Sequence, residues 1–280
     1  MGTVSGAVTD AVTGLPLAGV NVGLFQQDLA VGIPVTTGTD GRYTFTAPAG
    51  SGYVLGYSKT GYSPLNSNSF TITADTTITQ NAVLNPVITS GQARIVLTWD
   101  FSKGNLDLDS HLKGPRAPGD TTSGPFHTWF GDKVYSFGDT TFANLDIDWI
   151  SPTTDMPNPQ ETTTIDQQVS GTYTFYVHDF NNSGDANSVA LSNSAAQVTV
   201  YSGTNPPVTI NVPVTGQAGT VWTVFQLSGT TLTPINALSS DETVIQGSLT
   251  MQESQLLKLE VNKVLLGEEG TELKLVIEAK

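Results

Sequence analysis

Residues 37–62 read TGTDGRYTFTAPAGSGYVLGYSKTGY. Asp40–Gly41 is a turn signal, and Tyr43 and Phe45 then alternate with Thr44 and Thr46, which predicts a strand with one apolar face. A Pro-Ala-Gly loop separates it from a second strand-length run, YVLGYSKTGY. Upstream, AGVNVGLF sets Val20, Val22 and Leu24 on one face. TVSGAVTD supplies a further short strand, broken at Gly14 and Pro16. Downstream, SFTITADTTITQNAVL (69–84) is another alternating run. None of these stretches sustains a 3.6-residue period, so residues 1–88 are expected to form a small antiparallel β-sandwich.

Composition extends that reading to the whole chain of 280 residues. Apolar residues make up 38% and charged ones only 13%, with 28 Gly and 15 Pro, a mixture suited to strands joined by turns. No apolar run reaches the ~18 residues a membrane helix needs. Nor does a charged-then-apolar leader follow Met1, so a signal peptide, if the protein had one, is expected to have been removed. The formal net charge is −14, which disfavours nucleic acid and anionic lipid and suits cations. With no cysteine, thiol catalysis, disulfides and Cys-based zinc sites are all excluded.

Charge also divides the chain. Residues 1–90 hold four acids and no Glu, residues 91–239 hold thirteen acids, and residues 240–280 hold eight, nearly all Glu. VITSGQ (87–92) reads as a short hinge. Beyond it, ARIVLTWDF, KVYSF, GTYTFYVHDF, AQVTVYSG, VTINVPV and TVWTVFQL are strand-length, rich in β-branched and aromatic residues, and bounded by Gly, Pro, Asn or Asp. They predict a second sandwich over 93–239. In 240–280, LLKLEVNKVLL and TELKLVIEAK flank GEEG, which suggests a hairpin or donor-type tail. Two strands alone do not bury a core, so this tail is expected to pair with a neighbouring domain or another copy of the chain. The expected class is therefore all-β: two tandem antiparallel sandwiches and a C-terminal β tail.

Two resemblances accompany these patterns. The order SGAVTDAVTGLPLAGVNVGL, TGTDGRYTFTAPAGSGYVLGYSKTGY, TITQNAVL resembles the carboxypeptidase regulatory-like (transthyretin-like) β-sandwich over about residues 3–86. That likeness implies a non-catalytic extracellular module used as a spacer or in binding. A related pilin-type sandwich carries Lys–Asn isopeptide cross-links aided by an acid, but Lys59 is the sole lysine of this segment and no Glu accompanies it. The second segment resembles the YfaP-like bacterial surface and periplasmic proteins through Trp99, Asp107, Asp109, His111, Leu145, Asp146, Asp148, Glu161, Gly171, Tyr173, Val177 and His178. It departs from them where SPTTDMPNPQE replaces a Gly-rich stretch. This likeness implies a fold and a cell-surface setting, and no catalytic activity.

The chemistry concentrates in two D-x-D units. In NLDLDSH (105–111), Asp107, Asp109 and His111 alternate with Leu106 and Leu108. In NLDIDWI (144–150), Asp146 and Asp148 alternate with Leu145, Ile147 and Trp149. Three readings compete. The acids are the solvated faces of half-buried strands; or Asp107, Asp109, Asp146 and Asp148 converge on Ca²⁺, with Asn105, Asn144 and Glu161 completing an oxygen shell; or His111, His127 and His178 bind a transition metal, although they show no zinc spacing. His178 and Asp179 are read as a hydrogen-bonded pair.

Enzymatic signatures are missing: no G-x-S-x-G, no H-E-x-x-H, no Gly-rich strand-to-helix loop. In FHTWFGDKVYSF (126–137), Trp129 and Tyr135 are either sugar-stacking aromatics or core residues. The expectation is a secreted or cell-surface structural or adhesive protein that assembles by strand pairing, with a Ca²⁺-stabilised second domain. The alternative is a carbohydrate-binding accessory module of a secreted enzyme.

Overall fold

The computed structural model describes residues 1–104, 106–121, 125–152, 159–203 and 205–245. The expected hairpin within the tail therefore lies outside the described residues, as do Asn105 and residues 153–158.

The first sandwich is built from β1 (Gly2–Asp10), β2 (Asn21–Gln26), β3 (Arg42–Ala47), β4 (Gly50–Ser58) and β5 (Ala82–Leu84), with shorter pieces at Leu29–Ala30, Val35–Thr36, Leu65–Asn66, Phe70–Ile72 and Thr77–Thr79. β3 buries Tyr43, Phe45 and Ala47 and exposes Arg42, Thr44 and Thr46, as a period of two requires. It pairs antiparallel with β1, while β4 pairs antiparallel with β2 in the facing sheet. The Pro-Ala-Gly loop thus carries the chain from one sheet to the other. Val4, Val8, Leu24, Leu55, Tyr57 and Leu84 fill the space between. The sandwich is not wholly antiparallel: β5 and Thr77–Thr79 both run parallel to β1.

The second sandwich stacks two sheets. One orders β9 (Val134–Phe137), β10 (Thr140–Ile147), β11 (Gln160–Ile165), β6 (Ala93–Thr98), β13 (Gln197–Ser202) and β14 (Val208–Asn211). The other orders β8 (Phe126–Thr128), β7 (Leu108–Gly114), β12 (Thr172–Asp179), β15 (Val221–Ser228) and β16 (Thr231–Ser239). Their core includes Ile95, Leu97, Trp149, Trp222 and the stacked pair Phe175–Phe225, centroids 5.6 Å apart. The described helices are a single four-residue α-turn (Ala190–Asn193) and three 3₁₀ turns.

Residues 87–92 are not a hinge. Ile88 is buried with Ala11, Val83, Val96 and Tyr201 in a small cluster contributed by both sandwiches. Polar bonds seal its rim. Thr9 Oγ1 donates to Gln160 Oε1, Gln160 Nε2 donates to the Asp10 carbonyl at 3.1 Å, and Arg94 Nη1 donates to Asn85 Oδ1 at 2.9 Å. Residues 1–245 accordingly pack as one compact unit. The connector reads as a linker in the sequence because its Gly and Ser outweigh Ile88 in composition.

Candidate metal centre

β7 carries the site because it alternates two chemistries. Leu108 and Leu112 enter the sandwich core, while Asp109 and His111, two residues apart, share the opposite face. Antiparallel register sets His178 of β12 directly across from Asp109. This polar face is not solvated. Asp109, His111 and His178 are each only 1% exposed.

An aromatic cover explains the burial. The Trp129 ring lies over His111 and His127, with centroids 5.9 and 5.8 Å away and planes 17° and 16° apart. Phe130 packs edge-on against both Trp129 and Phe180, and Phe180 lies edge-on to His178. Residues 129–132 close on themselves through reciprocal Trp129–Asp132 backbone bonds of 3.0 Å. Gly131 belongs there because a Cβ would stand 2.7 Å from the Trp129 ring. This tight turn folds the indole back over the histidines.

From the facing sheet, Glu161 of β11 meets the edge of β7 that β8 covers only from Leu112 to Gly114. Its Oε2 accepts the Ser110 N–H, and the residue is fully buried. Asp148, just past β10, completes the set. Two triads result, sharing Asp109: Asp109–His111–His178 and Asp109–Asp148–Glu161, each with ligand atoms all within 4.8 Å of one another. Lys133 Nζ lies 3.0 Å from Asp148 Oδ2 and offsets one negative charge. Two ionised carboxylates at such a distance repel by about 3–4 kcal/mol at an effective dielectric of ~20, before any desolvation. A bound divalent cation would reverse that sign.

The imidazoles are held by partners of their own. His111 Nδ1 pairs with His127 Nε2 at 2.9 Å. Burial, reinforced by Lys113, pushes the His127 pKa down to about 3, so that ring is neutral. His178 Nε2 faces Glu242 Oε1 at 3.4 Å, and His178 Nδ1 faces Asp109 Oδ2 at 4.0 Å. Glu242 sits on the 3₁₀ turn Glu242–Ile245, where it also accepts from Ser183 Oγ, the Gly184 N–H and Thr220 Oγ1 at 2.8–2.9 Å. Burial pushes the Glu242 pKa up, but those donors together with His178 outweigh it and hold the carboxyl at about 2.

The structure brings Asp109 and Asp148 together and leaves the other two sequence-derived ligands in neither triad. Asp107 precedes β7, with its N–H donated to Asn181 Oδ1 and its carbonyl accepting the Phe180 N–H at 3.1 Å. Asp146 is diverted by a β-bulge: the β10–β11 register shifts between Leu145 and Ile147, leaving Asp146 as the extra residue. It accepts from Thr164 Oγ1 instead, near Arg94 and Asp166, and desolvation raises its pKa to about 6. Asn144 donates to Asp166 Oδ2 at 2.7 Å, away from the triads. Asp179 is bonded by Asn182, not His178. Of the two aromatics read as sugar contacts, Trp129 is buried and Tyr135 is half-buried. Trp129 is 4% exposed, and Tyr135 stacks on Phe126 at 4.6 Å while its hydroxyl accepts the Ala117 N–H and donates to Asp120. What sequence spacing missed is the pairing of β7 with β12, since Asp109 and His178 stand 69 positions apart and only register joins them.

No curated protein matches the chain. Among solved structures, it is similar to a protein of unknown function, SAV2460, at 16% identity and TM-score 0.42, over 57% of this chain and 96% of that one. It is also similar to BcpA, the major pilin subunit of Bacillus cereus, at 12% identity and TM-score 0.27, over 75% and 69%. The Streptococcal ancillary pilin gives 12% identity and TM-score 0.25, over 76% and 58%. Likenesses this low carry no argument about function. Among the described residues, no helix is long and apolar enough to cross a membrane. Residues 3–85 match the profile of the carboxypeptidase regulatory-like domain.

Proposed function

We propose that the chain is a non-catalytic structural or adhesive module of a bacterial cell surface whose second sandwich is held closed by a divalent cation. The observation that carries this reading is the burial of Asp109 and Glu161 beside Asp148, with their carboxylate oxygens within 4.8 Å of one another. Three such groups are tolerated in a folded core when an ion compensates them. An all-oxygen triad by itself suits a hard divalent cation such as Ca²⁺, and the two histidines beside Asp109 bear on which ion is held. Cation binding would fix the edge of β7, while the shared cluster around Ile88 makes the two sandwiches a stiff spacer. Self-association of the chain belongs to the same proposal.

Thermal unfolding of the full chain, first in EDTA and then with Ca²⁺, Mg²⁺, Mn²⁺ or Zn²⁺ restored singly, tests the reading. A hundredfold excess of ion over its Kd is expected to add about 2.7 kcal/mol, or roughly 5–10 °C in Tm. An unchanged melting curve in Ca²⁺, Mg²⁺, Mn²⁺ and Zn²⁺ alike would refute it.

A further inference from the structure

Oxygen counting alone leaves two buried imidazoles without a role. Asp109 and His111 sit on one face of β7, and His178 lies across from Asp109, so two adjacent strands present one carboxylate and two ring nitrogens from the same side. Imidazole is a poor ligand for calcium and a good one for zinc, iron, cobalt and nickel.

Each ring is also oriented as a metal-bound histidine is. His178 turns Nε2 toward the Glu242 carboxylate at 3.4 Å and Nδ1 toward Asp109. Carboxylate–histidine–metal arrangements fix ring orientation and raise ligand basicity in this manner. His111 is held through Nδ1 by His127, under the Trp129 ring. A second observation points independently to a ligand. His178 Nδ1 is buried, makes no hydrogen bond, and stands 4.0 Å from Asp109 Oδ2. That gap is too long for a hydrogen bond, yet it is spanned by two bonds of about 2.1 Å to a shared ion. Asp148 Oδ1 is likewise buried with no hydrogen bond.

We propose that the ion of this centre is a first-row divalent transition metal ligated by Asp109, His111 and His178, and not calcium, with Asp148 and Glu161 meeting Asp109 in the adjoining triad. The inference rests on the cation reading above and specifies its chemistry. Water is kept out by Trp129 and Phe180, and Lys133 limits the carboxylate charge on the Asp148 side.

The test uses the untagged full chain, stripped with EDTA and titrated separately with Co²⁺, Zn²⁺ and Ca²⁺. Co²⁺ is expected to develop visible d–d absorption at one equivalent. Zn²⁺ should displace it, and both ions should raise Tm by about 5–10 °C at a hundredfold excess over Kd. Nitrogen superhyperfine splitting in the Cu²⁺-loaded wild type would report imidazole ligation without any variant. His178→Gln should weaken Co²⁺ binding by 10-fold or more while retaining the far-UV spectrum of the wild type. Stabilisation by Ca²⁺ with no Co²⁺ band and no nitrogen splitting would overturn the transition-metal assignment and leave the cation reading standing. If none of the ions shifts Tm, both fail together.

Discussion

The two sandwiches solve the same packing problem with different materials. In the first, polar residues largely face water: β3 alternates without exception, and the buried polar residues there reduce to Thr9, Asp10, Thr37 and Asn85. In the second, β11 is buried over its whole length although it reads Gln-Glu-Thr-Thr-Thr-Ile, and β7 hides Asp109, Ser110 and His111. A core of the first kind rests mainly on apolar contacts. The second kind buries polar groups whose desolvation their partners must offset. The lesson is that strand alternation reports burial only where the outward face meets solvent.

Leu55→Ala should produce the largest effect. Leu55 is fully buried in the first core, and such truncations cost about 2–5 kcal/mol. If the comparison holds, that cost is the same in EDTA and in metal. A loss that depends on metal would mean that the ion stabilises both sandwiches equally.

The next effect has the opposite sign. In EDTA, Asp109→Asn combined with Glu161→Gln should stabilise the chain by about 1–3 kcal/mol, because two buried like charges disappear while the amide oxygen introduced at position 161 can still accept the Ser110 N–H. With metal restored the double variant should melt below the wild type. A double variant less stable than wild type in EDTA would show that the carboxylates are neutralised within the protein itself.

The smallest effect concerns Asp146. Its folded pKa lies near 6, above the ordinary 3.8, so the fold favours the neutral acid. That contribution is complete below pH ~4 and is lost as pH rises through 6. Asp146→Asn should therefore melt slightly above wild type at pH 7.5 in EDTA, with the gap closing by pH 4. The residue keeps an exposed face, so screening limits the difference to less than about 1 kcal/mol. A gap that persists at pH 4 would assign the effect to packing instead.

These three expectations also mark how far the sequence can be read. Tyr43, Phe45, Val22 and Leu24 announce the first core by period alone, and all four are buried there. Asp109 and Asp148 were visible as acids opposite an apolar face. Their separation from Asp107 and Asp146 was not, because a single-residue bulge in β10 diverts Asp146 and β7 begins only after Asp107. Glu161 and His178 are isolated in sequence and acquire meaning only from the pairing of distant strands. Glu242 falls past a compositional boundary at residue 240, yet its carboxylate binds Ser183, Gly184 and Thr220.

The parallel strands beside β1 have a mechanical consequence. Tension applied at Met1 pulls β1 from its beginning, while tension arriving through Asn85 pulls β5 from its end. In a parallel pair those two forces slide the strands past each other. The contacts Val8–Ala82, Thr9–Val83 and Asp10–Leu84 therefore share the load in shear instead of opening one by one. The same β1 residues, Thr9 and Asp10, hold Gln160 of the second sandwich. A chain stretched in this way loads the same strand that joins the two halves of the molecule.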